Sequence, residues 1–237
     1  MSGQNPENNG ETRQERRERK LRSKRSRMKK HGRNLAQTYL DAIRKRLREF
    51  RSVWKRPDAK IFSELCFCIC TPQSKAFYCD KAVRELEKTG DLFKGDRSRI
   101  RKGLKGVRFP NNKASYIVET RKLFTESGVI RVKNKIDASD IPATRWWLVR
   151  NVKGLGFKEA SHFLRNVGFG EDLAILDVHI LKNMIRYGII GEVPKTISRK
   201  TYYLLEDKLR KFSCKAGIPM ADLDLLFWSE ETGEIFK

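Results

Sequence analysis

The chain has 237 residues, of which 52 are lysine or arginine and 29 are aspartate or glutamate, so its formal net charge is +23. This length allows one large domain or two small subdomains with a core, and the charge excess calls for a polyanionic partner, nucleic acid first and an anionic membrane surface second. No run of 18 apolar residues and no apolar signal-peptide core occurs, so we expect an intracellular protein of the cytoplasm or nucleoid without a membrane span.

Residues 1–33 differ in composition from the rest of the chain. They hold 12 of the basic residues, 4 glutamates and almost no large apolar side chains. Such a segment cannot bury enough apolar surface to offset the entropy lost on ordering, so we predict a disordered basic arm before a folded region at 34–237. The arm could attract DNA phosphates or be a solvated tail without a role, and the sequence leaves both alternatives open.

Apolar residues after the arm recur at helical spacing. The first example is Leu40, Ile43, Leu47, Phe50 and Trp54, which share one helix face. Patterns typical of strands are nearly absent and no internal repeat occurs, so we predict an all-α fold of two helical subdomains with a cleft between them. In chain order, the predicted helices cover residues 40–54, 61–71, 74–88, 111–126, 142–152, 157–167, 177–187, 198–212 and 219–230.

Three cysteines, Cys66, Cys68 and Cys70, lie close together within an apolar run. This setting favours small apolar residues of a buried helix over metal ligands. No Cys-x-x-Cys pair occurs and the chain has 3 histidines, so we expect no zinc site. We predict an activity that needs neither a metal nor another cofactor.

The predicted helix pair at about 142–167 encloses a turn with two glycines, Gly154 and Gly156. Glycines permit a tight turn and a close backbone approach, because they lack a Cβ atom. The amides of such a turn and the N-terminus of the following helix can bind a DNA phosphate, and Lys153 could add a charge contact. A Gly-x-Gly turn alone more often simply connects two helices.

Two polar residues near this turn have unusual positions. Lys158 lies in the first turn of the second hairpin helix, where the helix dipole disfavours a positive charge and so favours the free amine that a nucleophile needs. Asp177 follows 19 residues later and opens the next helix. Aspartate is a common N-cap, and a capped carboxylate has a fixed orientation that suits it to stabilise positive charge on a sugar. A solvated lysine and a purely structural cap are the ordinary alternatives.

The runs Gly154-Leu-Gly-Phe-Lys158 and Asp177-Val-His179 resemble the helix-hairpin-helix DNA glycosylase superfamily. This resemblance implies that Lys158 attacks C1′ of the deoxyribose with the assistance of Asp177, and that the enzyme is both a glycosylase and an AP lyase. The chain departs from the superfamily's Gly/Pro-Asp motif, because residues 175–176 are isoleucine and leucine.

Three further blocks, 62–71, 106–118 and 223–237, resemble the second, mainly archaeal family of 8-oxoguanine DNA glycosylases. The family resemblance implies that Phe109 and Trp228 stack on the damaged base and that the terminal Lys237 recognises it. The main-chain carboxylate of Lys237 at the chain end can accept a hydrogen bond from the N7–H group of 8-oxoguanine. Guanine has no hydrogen at N7. The alternatives are core packing for the two aromatic residues and a frayed chain end for the lysine.

The resemblance implies a monomeric enzyme that binds double-stranded DNA containing 8-oxoguanine, excises this base and nicks the strand by β-elimination. Two alternatives stay open. One is a glycosylase of the same fold for oxidised pyrimidines or uracil, although the chain lacks the four-cysteine pattern of the iron–sulfur relatives. The other is a helix-hairpin-helix DNA-binding protein without catalytic activity.

Overall fold

The computed structural model describes residues 38–233 and residue 235. The chain divides into two compact units, Met1–Ala42 and Ile43–Lys237. Of the first unit only residues 38–42 are described, and they are helical. The predicted arm at 1–33 and the terminal Lys237 therefore lie outside the described residues, and apart from the start of the first helix everything below concerns the second unit.

Helices dominate the described residues, as the all-α prediction requires. The first, α1, extends over 38–53. The others are α2 (Asp58–Cys70), α3 (Ala76–Lys88), α4 (Asp91–Lys94), α5 (Arg97–Gly103), α6 (Pro110–Phe124), α7 (Ile141–Asn151), α8 (Phe157–Asn166), α9 (Val178–Arg186), α10 (Arg199–Ala216) and α11 (Met220–Thr232). No described helix is both long and apolar enough to cross a membrane.

The helix α2 is the centre of the first hydrophobic core. It packs against α3, α6 and α8, and nearly all of its residues from Ile61 to Cys70 are buried. Its cysteines are fully buried packing residues, as the sequence predicts. This core takes apolar side chains from residues 61–173 and forms the first subdomain.

Helices α9, α10 and α11 form the second subdomain around a separate core. Leu181, Tyr202 and Phe227 are among its buried members. The inner face of α1 packs against α11 in a third, smaller cluster that includes Leu47 and Leu225. The sequence-based prediction of two helical subdomains agrees with this division of the core.

The structure departs from the predicted elements in three places. Helices α4 and α5 were not predicted, because they have 4 and 7 residues and are too short to show an amphipathic period. The predicted helix at 111–126 ends at Phe124, and residues 125–126 and 129–130 pair as two short antiparallel strands. The helix α10 continues four residues beyond its predicted end, up to Gly217 in the left-handed conformation.

Candidate active site

The predicted hairpin is formed by α7, the turn at 152–156 and α8. Gly154 has a φ of +90°, and a Cβ atom there would lie 2.5 Å from the ring of Tyr116, so the position requires glycine. Gly156 is the N-cap of α8, and its amide donates to Oε2 of Glu159 at 3.2 Å. Gly154 and Gly156 are exposed, and their turn lies at the positive end of α8, where an anion can bind.

Lys158 lies in the first turn of α8, as predicted, and is partly withdrawn from solvent. Its side chain is 28% exposed, compared with 61% for Lys153 of the preceding turn. Its Nζ lies 3.0 Å from Oε1 of Glu159. Glu159 thus has two contacts, one with the hairpin amide of Gly156 and one with the lysine amine, and it holds the first turn of α8 and the amine together.

Asp177 is the N-cap of α9. Its Oδ1 accepts hydrogen bonds from the amides of His179 at 2.9 Å and Ile180 at 2.8 Å. These two bonds orient the carboxylate and leave its second oxygen, Oδ2, outside the cap. The predicted cap is thus confirmed, and its geometry is compatible with a second, chemical role.

A buried polar network holds the segment that leads into Asp177. Glu206 of α10 accepts a hydrogen bond from the amide of Ala174 at 2.8 Å, and the hydroxyl of Tyr202 donates to the carbonyl of Ala174 at 2.6 Å. Arg145 of α7 pairs with Glu206 through two bonds of 2.7 and 2.9 Å. The hairpin helix α7 and the carboxylate segment are therefore tied to the same glutamate, which fixes their relative position.

Lys158 and Asp177 line one cleft of about 1040 Å³. One wall comes from residues 71–77 of the first subdomain, and the other comes from α9 and α11 of the second. Trp228 of α11 lines the same cleft. The structure therefore brings together an amine, a carboxylate and an aromatic residue, of which the first and the last are 70 positions apart in the sequence.

The other predicted site residues lie elsewhere. Phe109 is 52% exposed at the start of α6 and is not among the described residues that line the cleft. Lys153 is exposed and lies 3.4 Å from Glu119, also away from the cleft lining.

A buried ion pair beside Asp177 was not anticipated from the sequence. Arg165 of α8 and Asp224 of α11 both line the cleft, with Nη1 and Oδ2 at 3.3 Å. Burial raises the pKa of Asp224 to about 6, the positive charge of Arg165 opposes this rise, and the negative charge of Asp177 adds to it. An aspartate within a helix gives no sequence signal that distinguishes such a buried position from a solvated one.

Comparison with known proteins is decisive for the family. The sequence profile of the 8-oxoguanine DNA glycosylase family matches residues 43–218. This chain belongs to the 8-oxoguanine DNA glycosylase family. The 8-oxoguanine DNA glycosylase/AP lyase of Fusobacterium nucleatum is 44% identical over 197 residues, which cover 82% of this chain and 91% of that protein. The protein of the same description from Korarchaeum cryptofilum is 41% identical over 202 residues, covering 83% and 91%.

Solved structures of 8-oxoguanine DNA glycosylases share this fold. The Methanocaldococcus jannaschii 8-oxoguanine glycosylase/lyase, in complex with a 15mer DNA containing 8-oxoguanine, superposes with a TM-score of 0.75 at 36% identity, covering 83% of this chain and 92% of that one. The enzyme of Thermotoga maritima gives a TM-score of 0.74 at 34% identity, covering 92% and 99%. The expected 8-oxoguanine DNA glycosylase family is thus confirmed, with both archaeal and bacterial relatives.

Proposed function

We propose that this chain excises 8-oxoguanine from double-stranded DNA and then cleaves the strand, with Lys158 as the nucleophile. The observation that carries the proposal is that Lys158 and Asp177 line the same cleft, which includes the first turn of the hairpin helix α8. The names of the relatives, 8-oxoguanine DNA glycosylase/AP lyase, support the substrate and both activities. A monomeric state and an intracellular location stay predictions.

The first steps bind the duplex and expose the base. The exposed hairpin turn at 152–156, the N-terminus of α8 and the charge of Lys153 hold a phosphate of the damaged strand. The damaged nucleotide leaves the base stack and enters the cleft, since its C1′ cannot be reached inside the duplex. The cleft volume of about 1040 Å³ is large enough for a nucleotide.

Chemistry then takes place at C1′. The lone pair of Lys158 Nζ forms the N–C1′ bond while the glycosidic bond breaks, and the base leaves with the electron pair of the glycosidic bond and takes up a proton. Asp177 stabilises the positive charge that develops on the sugar. The sugar ring opens to a protonated Schiff base, a proton is lost from C2′, and β-elimination expels the phosphate on the 3′ side. The carboxylate of Glu159, 3.0 Å from Nζ, is positioned to hold the amine and to take up its proton before attack.

Base recognition in this proposal uses two rings and the chain terminus. Trp228 lines the cleft, and the exposed Phe109 directly follows Arg108, whose amide donates to the cleft residue Ser74, so we expect a base to stack between the two rings. The terminal carboxylate of Lys237 accepts the hydrogen bond from N7–H of 8-oxoguanine and repels the lone pair that guanine has there. Lys237 itself lies outside the described residues.

A panel of duplexes tests this function. We expect the chain to nick a duplex with one 8-oxoguanine at least about a hundredfold faster than undamaged, uracil-containing or oxidised-pyrimidine duplexes. Deleting Lys237 should lower the ratio of the nicking rates on 8-oxoguanine and guanine duplexes by about tenfold, because one discriminating hydrogen bond is lost. A preference for uracil or an oxidised pyrimidine would favour another substrate on the same fold, and equal binding of all duplexes without nicking would favour a noncatalytic DNA-binding protein.

The hairpin contact predicts a separate loss of affinity. Gly154→Ala should weaken duplex binding by roughly tenfold or more. The left-handed backbone is unfavourable for alanine, and its Cβ atom would clash with the ring of Tyr116, so the turn would be displaced. Anisotropy titrations at fixed salt in a Lys158→Gln background measure binding without cleavage. Gly128→Ala is the matched control, since Gly128 has a φ of +78° but nothing within 4 Å of an added Cβ. Equal affinities of the two variants would contradict the hairpin contact.

A further inference from the structure

Lys113 of α6 is a buried cation with three neutral partners. It is 4% exposed. Its Nζ donates to the carbonyl oxygens of Cys70 at 2.6 Å and Pro72 at 2.8 Å, and to the hydroxyl of Ser74 at 2.9 Å. No carboxylate forms an ion pair with it among the residues that the structure describes. All three donors of the ammonium group are thus used to hold one loop.

This arrangement is costly, so packing alone does not explain a lysine here. Burial lowers the pKa of Lys113, and the nearby charge of Lys158 acts in the same direction, while Cys70, Cys79 and Glu159 act against it. An apolar side chain could fill the same volume without desolvating a charge. The three hydrogen bonds instead fix residues 70–74, the loop that forms one wall of the cleft.

Ser74 carries this constraint to Phe109. Its hydroxyl oxygen accepts a second hydrogen bond, from the amide of Arg108 at 2.9 Å. The next residue, Phe109, has a φ of +55°, a left-handed conformation that is unfavourable for a phenylalanine and persists only where the surroundings impose it. Lys113 lies one helical turn beyond, and its amide donates to the carbonyl of Phe109 at 3.2 Å. Phe109 is therefore held between the Ser74 bond on one side and Lys113 on the other.

We propose that Lys113 and Ser74 form a positioning pair, which holds the ring of Phe109 at the rim of the cleft where it meets the extruded base. The inference rests on the proposed function, because it gives Lys113 and Ser74 a part in base excision. It gives them no part in the covalent chemistry of Lys158. Excision needs the base to be stacked, whereas cleavage at a preformed abasic site has no base to stack. The two reactions therefore separate a positioning role from a general loss of structure.

The deciding variant is Ser74→Ala, which removes the shared acceptor and keeps the charge of Lys113. We expect single-turnover release of 8-oxoguanine to fall by about tenfold to a hundredfold, as small displacements of reacting groups do. Cleavage of a duplex with a preformed abasic site should stay within about threefold of wild type. Ser74→Thr keeps the hydroxyl, so its rate of 8-oxoguanine release should be close to that of wild type. Lys113→Met should lower this rate at least as much as Ser74→Ala does.

A double-mutant cycle with Phe109→Ala completes the test. If the pair acts through Phe109, Ser74→Ala adds almost nothing to the loss already caused by Phe109→Ala. Additive losses, an equal decline of excision and abasic-site cleavage, or unchanged excision in Ser74→Ala would each overturn the inference. Should Lys113→Met fail to fold, the serine variants and the cycle still decide. Absence of 8-oxoguanine release by the wild-type chain would refute the proposed function instead.

Discussion

Lys158→Gln should lower the rate of 8-oxoguanine release and strand cleavage by at least about a thousandfold, because the amide has no nucleophilic lone pair. Duplex affinity should change little, since the hairpin turn that we propose to hold the phosphate stays intact. Single-turnover rates and anisotropy titrations on the same 8-oxoguanine duplex measure the two quantities separately.

Lys153→Gln is the matched control for this prediction. Lys153 lies five positions earlier, is more exposed and does not belong to the described cleft lining. Its loss should weaken binding modestly and leave the rate of saturated enzyme within a few-fold of wild type. The assignment of Lys158 would be wrong if Lys158→Gln retained cleavage, or if Lys153→Gln abolished it at saturating protein.

Asp177→Asn should slow base release by about a hundredfold to ten-thousandfold while the thermal melt stays nearly unchanged. Asparagine is as good an N-cap as aspartate, so its side-chain oxygen still accepts from the amides of His179 and Ile180. The substitution removes only the negative charge, to which we assign the stabilisation of the sugar cation.

Asp177→Ala provides the comparison, because it removes the cap as well as the charge. We expect it to lose about 1 kcal/mol of unfolding free energy in addition to the catalytic loss. A purely structural role for Asp177 predicts the opposite pattern, with Asp177→Asn fully active and Asp177→Ala defective only in proportion to its lower stability. Melting curves together with single-turnover rates distinguish the two patterns.

Local signals in the sequence were sufficient to place the two proposed catalytic residues at the starts of their helices. The glycines at 154 and 156 mark a turn that only glycine allows at its first position, and the residue opening α9 is one that caps helices well. The glycine turn and the aspartate cap each depend only on residues a few positions away. The backbone geometry that they predict therefore agrees closely with the structure. Gly188, which is left-handed, follows α9 and its C-cap Tyr187 in the same local manner.

Long-range contacts could not be predicted in this way. Lys113 is separated from Cys70 by 43 positions, and Arg145 is separated from Glu206 by 61. Nothing in a single sequence distinguishes these buried charges from solvated ones on the same helices. The contact of Glu159 with the Gly156 amide is local by comparison, and it could have been proposed because a glutamate three residues after an N-cap can reach back to the cap amide.

The central claim is that Lys158 forms a covalent bond with the deoxyribose. The most direct test reduces the reacting wild-type protein and an 8-oxoguanine duplex with borohydride, digests the trapped complex and locates the sugar adduct by peptide mass spectrometry. We predict that the adduct lies on Lys158, in the peptide that begins after Lys153. An adduct on Lys113, Lys153 or the chain's amino terminus, or no adduct during active base release, would contradict the account.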